Sequence, residues 1–149
     1  MLTFDMQMIG IDVAFKNIQE KAEAALRPSA YKGSSVYYDA LMEPGGVPVS
    51  DKGHWFHGTS YKGSGTKYWF ESGSLKNAVY QVYSKSGSNE TKSEYHVAWN
   101  HRKVPYGFMV ALGTKRGAEA NDFIGKAKLT VQQQAINAMQ TEFAQRMSK

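Results

Sequence analysis

The chain of 149 residues contains no cysteine. That excludes disulfides and every thiolate-based metal site, and it removes the usual nucleophile of thiol enzymes. Proline is scarce, with 4 residues, so few helices are forced to end by it. No apolar run approaches the roughly 20 residues of a membrane span. The first ten residues, MLTFDMQMIG, carry Asp5, lack a basic start and are too short to hold a signal-peptide core. The expectation is a soluble protein not exported by a standard signal. The formal charge of +5 is modest and spread along the chain, from Lys52, Lys62, Lys67, Lys76 and Lys85 to Arg102, Lys103, Lys115, Arg116, Lys126 and Lys128. Dispersed charge describes a solvated surface. It tolerates nucleic acid or an acidic partner but does not concentrate basic residues on one reading helix.

The length suits one domain able to bury a true core. Leu2, Phe4, Met6 and Met8 alternate and predict a short strand. Asp12 then offers a helix cap, with Phe15, Ile18, Ala22 and Ala25 forming an inward stripe. Pro28 predicts a break near Arg27 and a second helix to about Met42, ended by Pro44-Gly45-Gly46. Residues 44–74 form a long Gly- and Ser-rich arm studded with aromatics, which need a surface to pack on. Three strand-like runs follow: Leu75–Tyr83 with Ala78, Tyr80 and Val82 on one face, Tyr95–Trp99 with Tyr95, Val97 and Trp99 alternating, and Tyr106–Leu112. Their short connections predict an antiparallel meander. Thr130 and Gln133 suggest a capping box for a last helix, whose apolar stripe is Ile136, Met139, Phe143 and Met147. The expected fold is α+β, a small antiparallel sheet of three to four strands packed against N-terminal helices and a C-terminal helix.

A search for chemistry finds little. His54 and His57 stand three apart in a glycine-rich loop, with Asp51 the nearest acid, a weak ligand set for a metal. His96, Asn100 and His101 in YHVAWNHRK suggest a His-Asn-His metal-dependent nuclease, yet no further histidine ligand follows on the last helix. The alternative is a strand histidine and a turn-forming asparagine. There is no G-x-S-x-G elbow around Ser74, no phosphate loop in GSGT at 63–66, and no paired carboxylates beyond Asp39 and Glu43. No catalytic residue, metal or cofactor is expected, and a binding or assembly role becomes the default.

Two segments carry a resemblance. ESGSLKNAVY, at 71–80, and YHVAWNHRKVPYGFMVALGTKRGAEANDFIGKA, at 95–127, resemble the conserved blocks of phage head–tail joining proteins, the tail-completion or neck family of the lambdoid minor tail protein Z type. The likeness is strongest from Gly73 to Ala127. Three departures are visible: Ala111 stands where the family has Glu, Asn121-Asp122 replaces a residue-Pro step before Phe123, and residues 51–71 look inserted. The resemblance implies two N-terminal helices, a small sheet and a C-terminal helix. It also implies a structural virion protein at the head–tail junction, assembled in the host cytoplasm as a ring, by analogy a hexamer. Its partners would be copies of itself, the tail terminator and head-completion or connector proteins, with DNA passing through. The subunit and partner contacts expected are the Gly73-x-Leu75 step, the Gly113-Thr114-Lys115-Arg116 turn, and the aromatics Trp55, Tyr61, Tyr68 and Trp69 of the arm. A small nuclease using the His/Asn cluster, or a basic nucleic-acid-binding module with salt-sensitive affinity, are the alternatives.

Overall fold

The computed structural model describes residues 2–57, 67–115 and 117–149, with the backbone alone for residues 2–13. Tyr61 and Arg116 lie outside the described residues. The order is α1 (Leu2–Met42), β1 (His54–His57), β2 (Lys67–Phe70), α2 (Ser74–Asn77), β3 (Val79–Tyr83), β4 (Tyr95–Trp99), α3 (Gly107–Leu112) and α4 (Phe123–Met147). The class is α+β, as expected. The strands form two antiparallel pairs, β1 with β2 and β3 with β4, in place of one meander.

The largest difference is at the start. Residues 2–42 form one helix of 41 residues with Pro28 inside it, where the sequence suggested a strand, a cap at Asp12, a helix and a break. Alternation over four residues is a weak strand signal, because Phe4 and Met8 also satisfy helical spacing. Proline at position 28 removes one ladder bond, to the carbonyl of Ala24, at a cost of roughly 3 kcal/mol. Burial of the helix against α4 offsets it. Ala25 and Ala135 are fully buried, and a Cβ on Gly33 would meet the side chain of Met139 at 2.5 Å. Small residues let the two helices approach closely, and the alanine-to-glycine face of α1 continues through the proline.

α4 also begins earlier than its predicted box. Asp122 caps it, its Oδ1 accepting from the Gly125 amide at 2.9 Å. Thr130 is interior, its hydroxyl donating to the Lys126 carbonyl at 2.8 Å. The expected stripe of Ile136, Met139, Phe143 and Met147 is half-buried beside the buried Val131 and Ala135.

The β3–β4 pair lies on α1. Gln81 Nε2 donates to Ser34 Oγ at 2.6 Å and reaches Ser35 Oγ at 3.1 Å. The Arg27 guanidinium sits 4.0 Å from the centre of the Tyr83 ring, and Arg27 Nε donates to the Tyr95 hydroxyl at 3.4 Å. The inward face of β3 is therefore Val79, Gln81 and Tyr83. Tyr80 and Val82, on the other face, are exposed. The strand starts at Val79 because α2 occupies 74–77, and Tyr80 and Val82 share one face as the alternation predicts.

The third expected strand, Tyr106–Leu112, is the short helix α3. Its buried positions are Gly107 and Ala111, one turn apart, while Phe108, Met109 and Leu112 are exposed. A Cβ on Gly107 would collide with the Trp99 indole, so the glycine lets the helix lie against β4. The core gathers Leu41, Val47, Phe70, Leu75, Ala78, Val79, Val104, Ala111 and Phe123. Phe123 is 2 % exposed and its ring lies 5.4 Å from that of Trp99. Phe123→Ala should cost about 3–5 kcal/mol, measured as a lower denaturation midpoint with an unchanged slope. A loss below 1 kcal/mol would place the centre of the core elsewhere.

Candidate interface surfaces

The arm at 44–74 contains a hairpin. β1 and β2 pair Trp55 with Trp69 and Phe56 with Tyr68 across the ladder. Period-two alternation sorts the aromatics into two faces. His54, Phe56, Tyr68 and Phe70 point toward the protein, while Trp55, His57, Lys67 and Trp69 point away. Tyr106 receives the inner face: its ring is 4.5 Å from His54 and 5.0 Å from Phe70. Burial raises the Tyr106 hydroxyl above its ordinary pKa, with hydrogen bonds to the Leu75 backbone and the Ser74 side chain acting the other way.

The outer face is an exposed tryptophan pair. The rings of Trp55 and Trp69 meet edge to face at 5.3 Å and 66°. Lys67 Nζ lies 4.9 Å from the Trp55 ring centre, and Trp69 Nε1 donates to Glu71 Oε1 at 2.7 Å. Gly53 lies so close beneath the Trp69 ring that a Cβ could not fit. These contacts fix the rings while leaving Trp55 53 % and Trp69 47 % exposed. Of the four aromatics singled out in the sequence, Trp55 and Trp69 are presented to solvent, and Tyr68 packs against the core.

The other singled-out residues divide similarly. Gly73 has φ 81° and precedes α2, its carbonyl accepting from the Asn77 amide at 2.9 Å. Leu75 is buried in the core. Both build the fold beneath the hairpin. The turn after α3 is tight: the Thr114 amide donates to the Ala118 carbonyl at 3.1 Å, and Thr114 Oγ1 accepts from the Ala118 amide at 3.2 Å. Gly113 has φ 76°, and a Cβ there would sit 2.8 Å from the Ala118 carbonyl oxygen. Lys115 is exposed at the tip. The chain then returns through Asn121, whose amide donates to the Val110 carbonyl at 2.8 Å, and delivers Phe123 to the core.

The histidines are placed apart. His54 and His57 project from opposite faces of β1, so the pair cannot close on one ion. His96 Nε2 lies 2.7 Å from Glu94 Oε1, and Glu94 Oε2 accepts from Lys92 Nζ at 2.7 Å. Asn100 Oδ1 accepts from the amides of Arg102 and Lys103 at 3.1 and 3.2 Å, an Asx turn. The His101 ring lies 5.9 Å from that of Phe108, tilted by 54°. Among the described residues no group of three or more His, Cys, Asp or Glu side chains is gathered as for a metal. No described helix is long and apolar enough to cross a membrane.

An apolar cleft of about 390 Å³ opens between α1, β4 and α4, lined among others by Ala30, Tyr37, Val97, Ile124 and Met139, with Lys128 and Glu94 at its edge. It was not legible in the sequence, because its walls come from three separated segments. The exposed Phe108, Met109 and Leu112 of α3 were missed for another reason: they were assigned to a strand.

Two outcomes are expected. Gly113→Val should destabilise the protein by about 1–3 kcal/mol, read by denaturant unfolding; an unchanged midpoint would show that the turn relaxes freely. Glu94 is held down to about 2 from an ordinary 4.5, chiefly by Lys92 and then by His96. Because the folded value is the lower one, its contribution to stability is full above about pH 4.5 and disappears as pH falls toward 2. Carboxyl NMR titration should show that low midpoint, moving up in Lys92→Ala; a midpoint near 4.5 in the unaltered protein contradicts the pair.

No family model, curated protein or solved structure matches the chain.

Proposed function

We propose that the protein is a structural component of the phage neck, a tail-completion or head–tail joining subunit that works by self-assembly into a ring and not by turnover. The observation that carries this reading is the block from Gly73-x-Leu75 through Gly113-Thr114 to Phe123. Its apolar members Leu75, Ala111 and Phe123 close one core, and its glycines hold the positive φ angles that the two turns need.

The surface supports the same reading. A ring subunit meets its two neighbours through unlike faces, a heterologous contact that closes. This chain exposes large apolar side chains on separate elements: Trp55 and Trp69 on the hairpin, Phe108, Met109 and Leu112 on α3, Tyr80 and Val82 on β3. Exposed tryptophans held by a lysine, a carboxylate and a close glycine are suited to interface anchoring, since little freedom remains to be lost on binding. The exposed Lys115 turn is a fixed basic point that fits an acidic neighbour or passing DNA.

The nuclease alternative has weaker support. The Asn100 carbonyl oxygen is occupied by turn amides and His96 is paired with Glu94. Incubation with DNA and divalent metals addresses it directly: cleavage abolished by His96→Ala would replace the structural reading.

The direct test is the mass of the purified protein, alone and mixed with tail tubes, followed by imaging of particles. Higher-order species that bind tube ends, and density at the collar, are expected. Trp55→Ser with Trp69→Ser should leave the melting temperature within a few degrees and weaken association with the tubes by at least about tenfold. Undiminished association would remove the hairpin from the contact, and absence of the protein from the collar would end the neck assignment.

A further inference from the structure

Among the described residues, α1 extends beyond the elements that pack on it. α4 runs back along it: Gly33 faces Met139, and Ser29 and Ala30 share a cleft with Met139, Gln140 and Phe143. At the end of the chain, the Lys149 carbonyl accepts from Lys21 Nζ at 3.3 Å. α4 therefore stops opposite residue 21, and residues 2–20 carry α1 onward for roughly 28 Å. Every side chain from Ala14 to Glu20 is exposed, with Phe15 67 % and Ile18 53 % accessible.

The apolar seam does not stop where α4 does. Ser29, Ala25 and Ala22 are spaced four and three apart, and Ser29 and Ala25 are buried. Continuing toward the N-terminus, the same four-three spacing selects Ile18, Phe15, Ile11, Met8 and Phe4. This is the period of a coiled-coil seam. Residues are small where α4 covers the seam and large beyond its end. A lone helix of this length is marginal in water, and the exposed Phe15 and Ile18 on it need a cover.

We infer that the N-terminal half of α1, through the stripe at Phe4, Met8, Ile11, Phe15 and Ile18, pairs in parallel with the same segment of other copies of this chain. The stripe prolongs the α1–α4 interface without a change of period, so its natural complement is a helix of that period. Parallel register sets Gln7 against Asp12 and Ala14 against Gln19 at the flanking positions, with no like charges opposed. The covered area is on the order of 1,000 Å² for a pair, the lower limit of a specific interface. The inference stands apart from the neck reading, although parallel copies about one axis are also what a closed ring supplies.

Sedimentation of the full chain over a wide concentration range tests it. The unaltered protein should associate, and Phe15→Glu with Ile18→Glu should weaken association about a hundredfold. The melting temperature of the monomer should hold, because both side chains are exposed in it. The lack of native cysteine gives a second measurement: Ile18→Cys should form an intermolecular disulfide on mild oxidation, while Leu129→Cys, on the exposed side of α4, should not. A monomer at every concentration overturns the inference. So does an oligomer indifferent to both glutamates that yields no disulfide from Ile18→Cys. A protein that pairs through this seam yet never joins tail tubes keeps the inference and sinks the neck reading.

Discussion

The close antiparallel approach of α1 and α4 is the constraint on which the rest of the structure depends. It is made by small residues. Ala25 and Ala135 vanish from solvent, and Gly33 gives its missing Cβ to Met139. That approach places the start of α4, and with it Phe123, under Trp99. It also leaves the other side of α1 free to offer Ser34, Ser35 and Arg27 to the β3–β4 pair. A bulkier residue at position 33 would separate two layers at once.

Much of the architecture was legible in the residues, and the failures share one cause. The α+β class, the last helix and the strand Tyr95–Trp99 followed from periodicity. The run Tyr106–Leu112 misled because its large apolar residues were taken to face inward. In fact Gly107 and Ala111 face inward, and at Gly107 the Trp99 indole leaves no room for a Cβ. β3 is shorter than its run, as α2 takes the first residues of it. At Pro28 a local rule was correct in sign but outweighed by a long packed face. Spacing reports which residues share a side; it does not report which side has room.

Within the arm, composition announced aromatics that must pack, and only the ladder could divide them. A one-residue change of pairing would set Trp55 on one face with an inner ring of β2 and Phe56 on the other face with Trp69, burying one tryptophan only by exposing an inner ring. Register is held by the inner rings, Phe56 and Phe70 against Tyr106. The same contacts that specify the hairpin also select what it shows to a neighbour. Folding and recognition are in this way decided by one set of rings.

The projecting half of α1 also has a mechanical meaning. A stiff rod clamped at one end acts as a lever. Tilting it by about 10° where it leaves α4 would sweep its free tip through about 5 Å, given a length near 28 Å. Small adjustments in the seating of Met139 on Gly33 are thereby magnified at a distance. Whatever grips the far end feels the state of the core, and strain applied there is returned to the core with the same mechanical advantage.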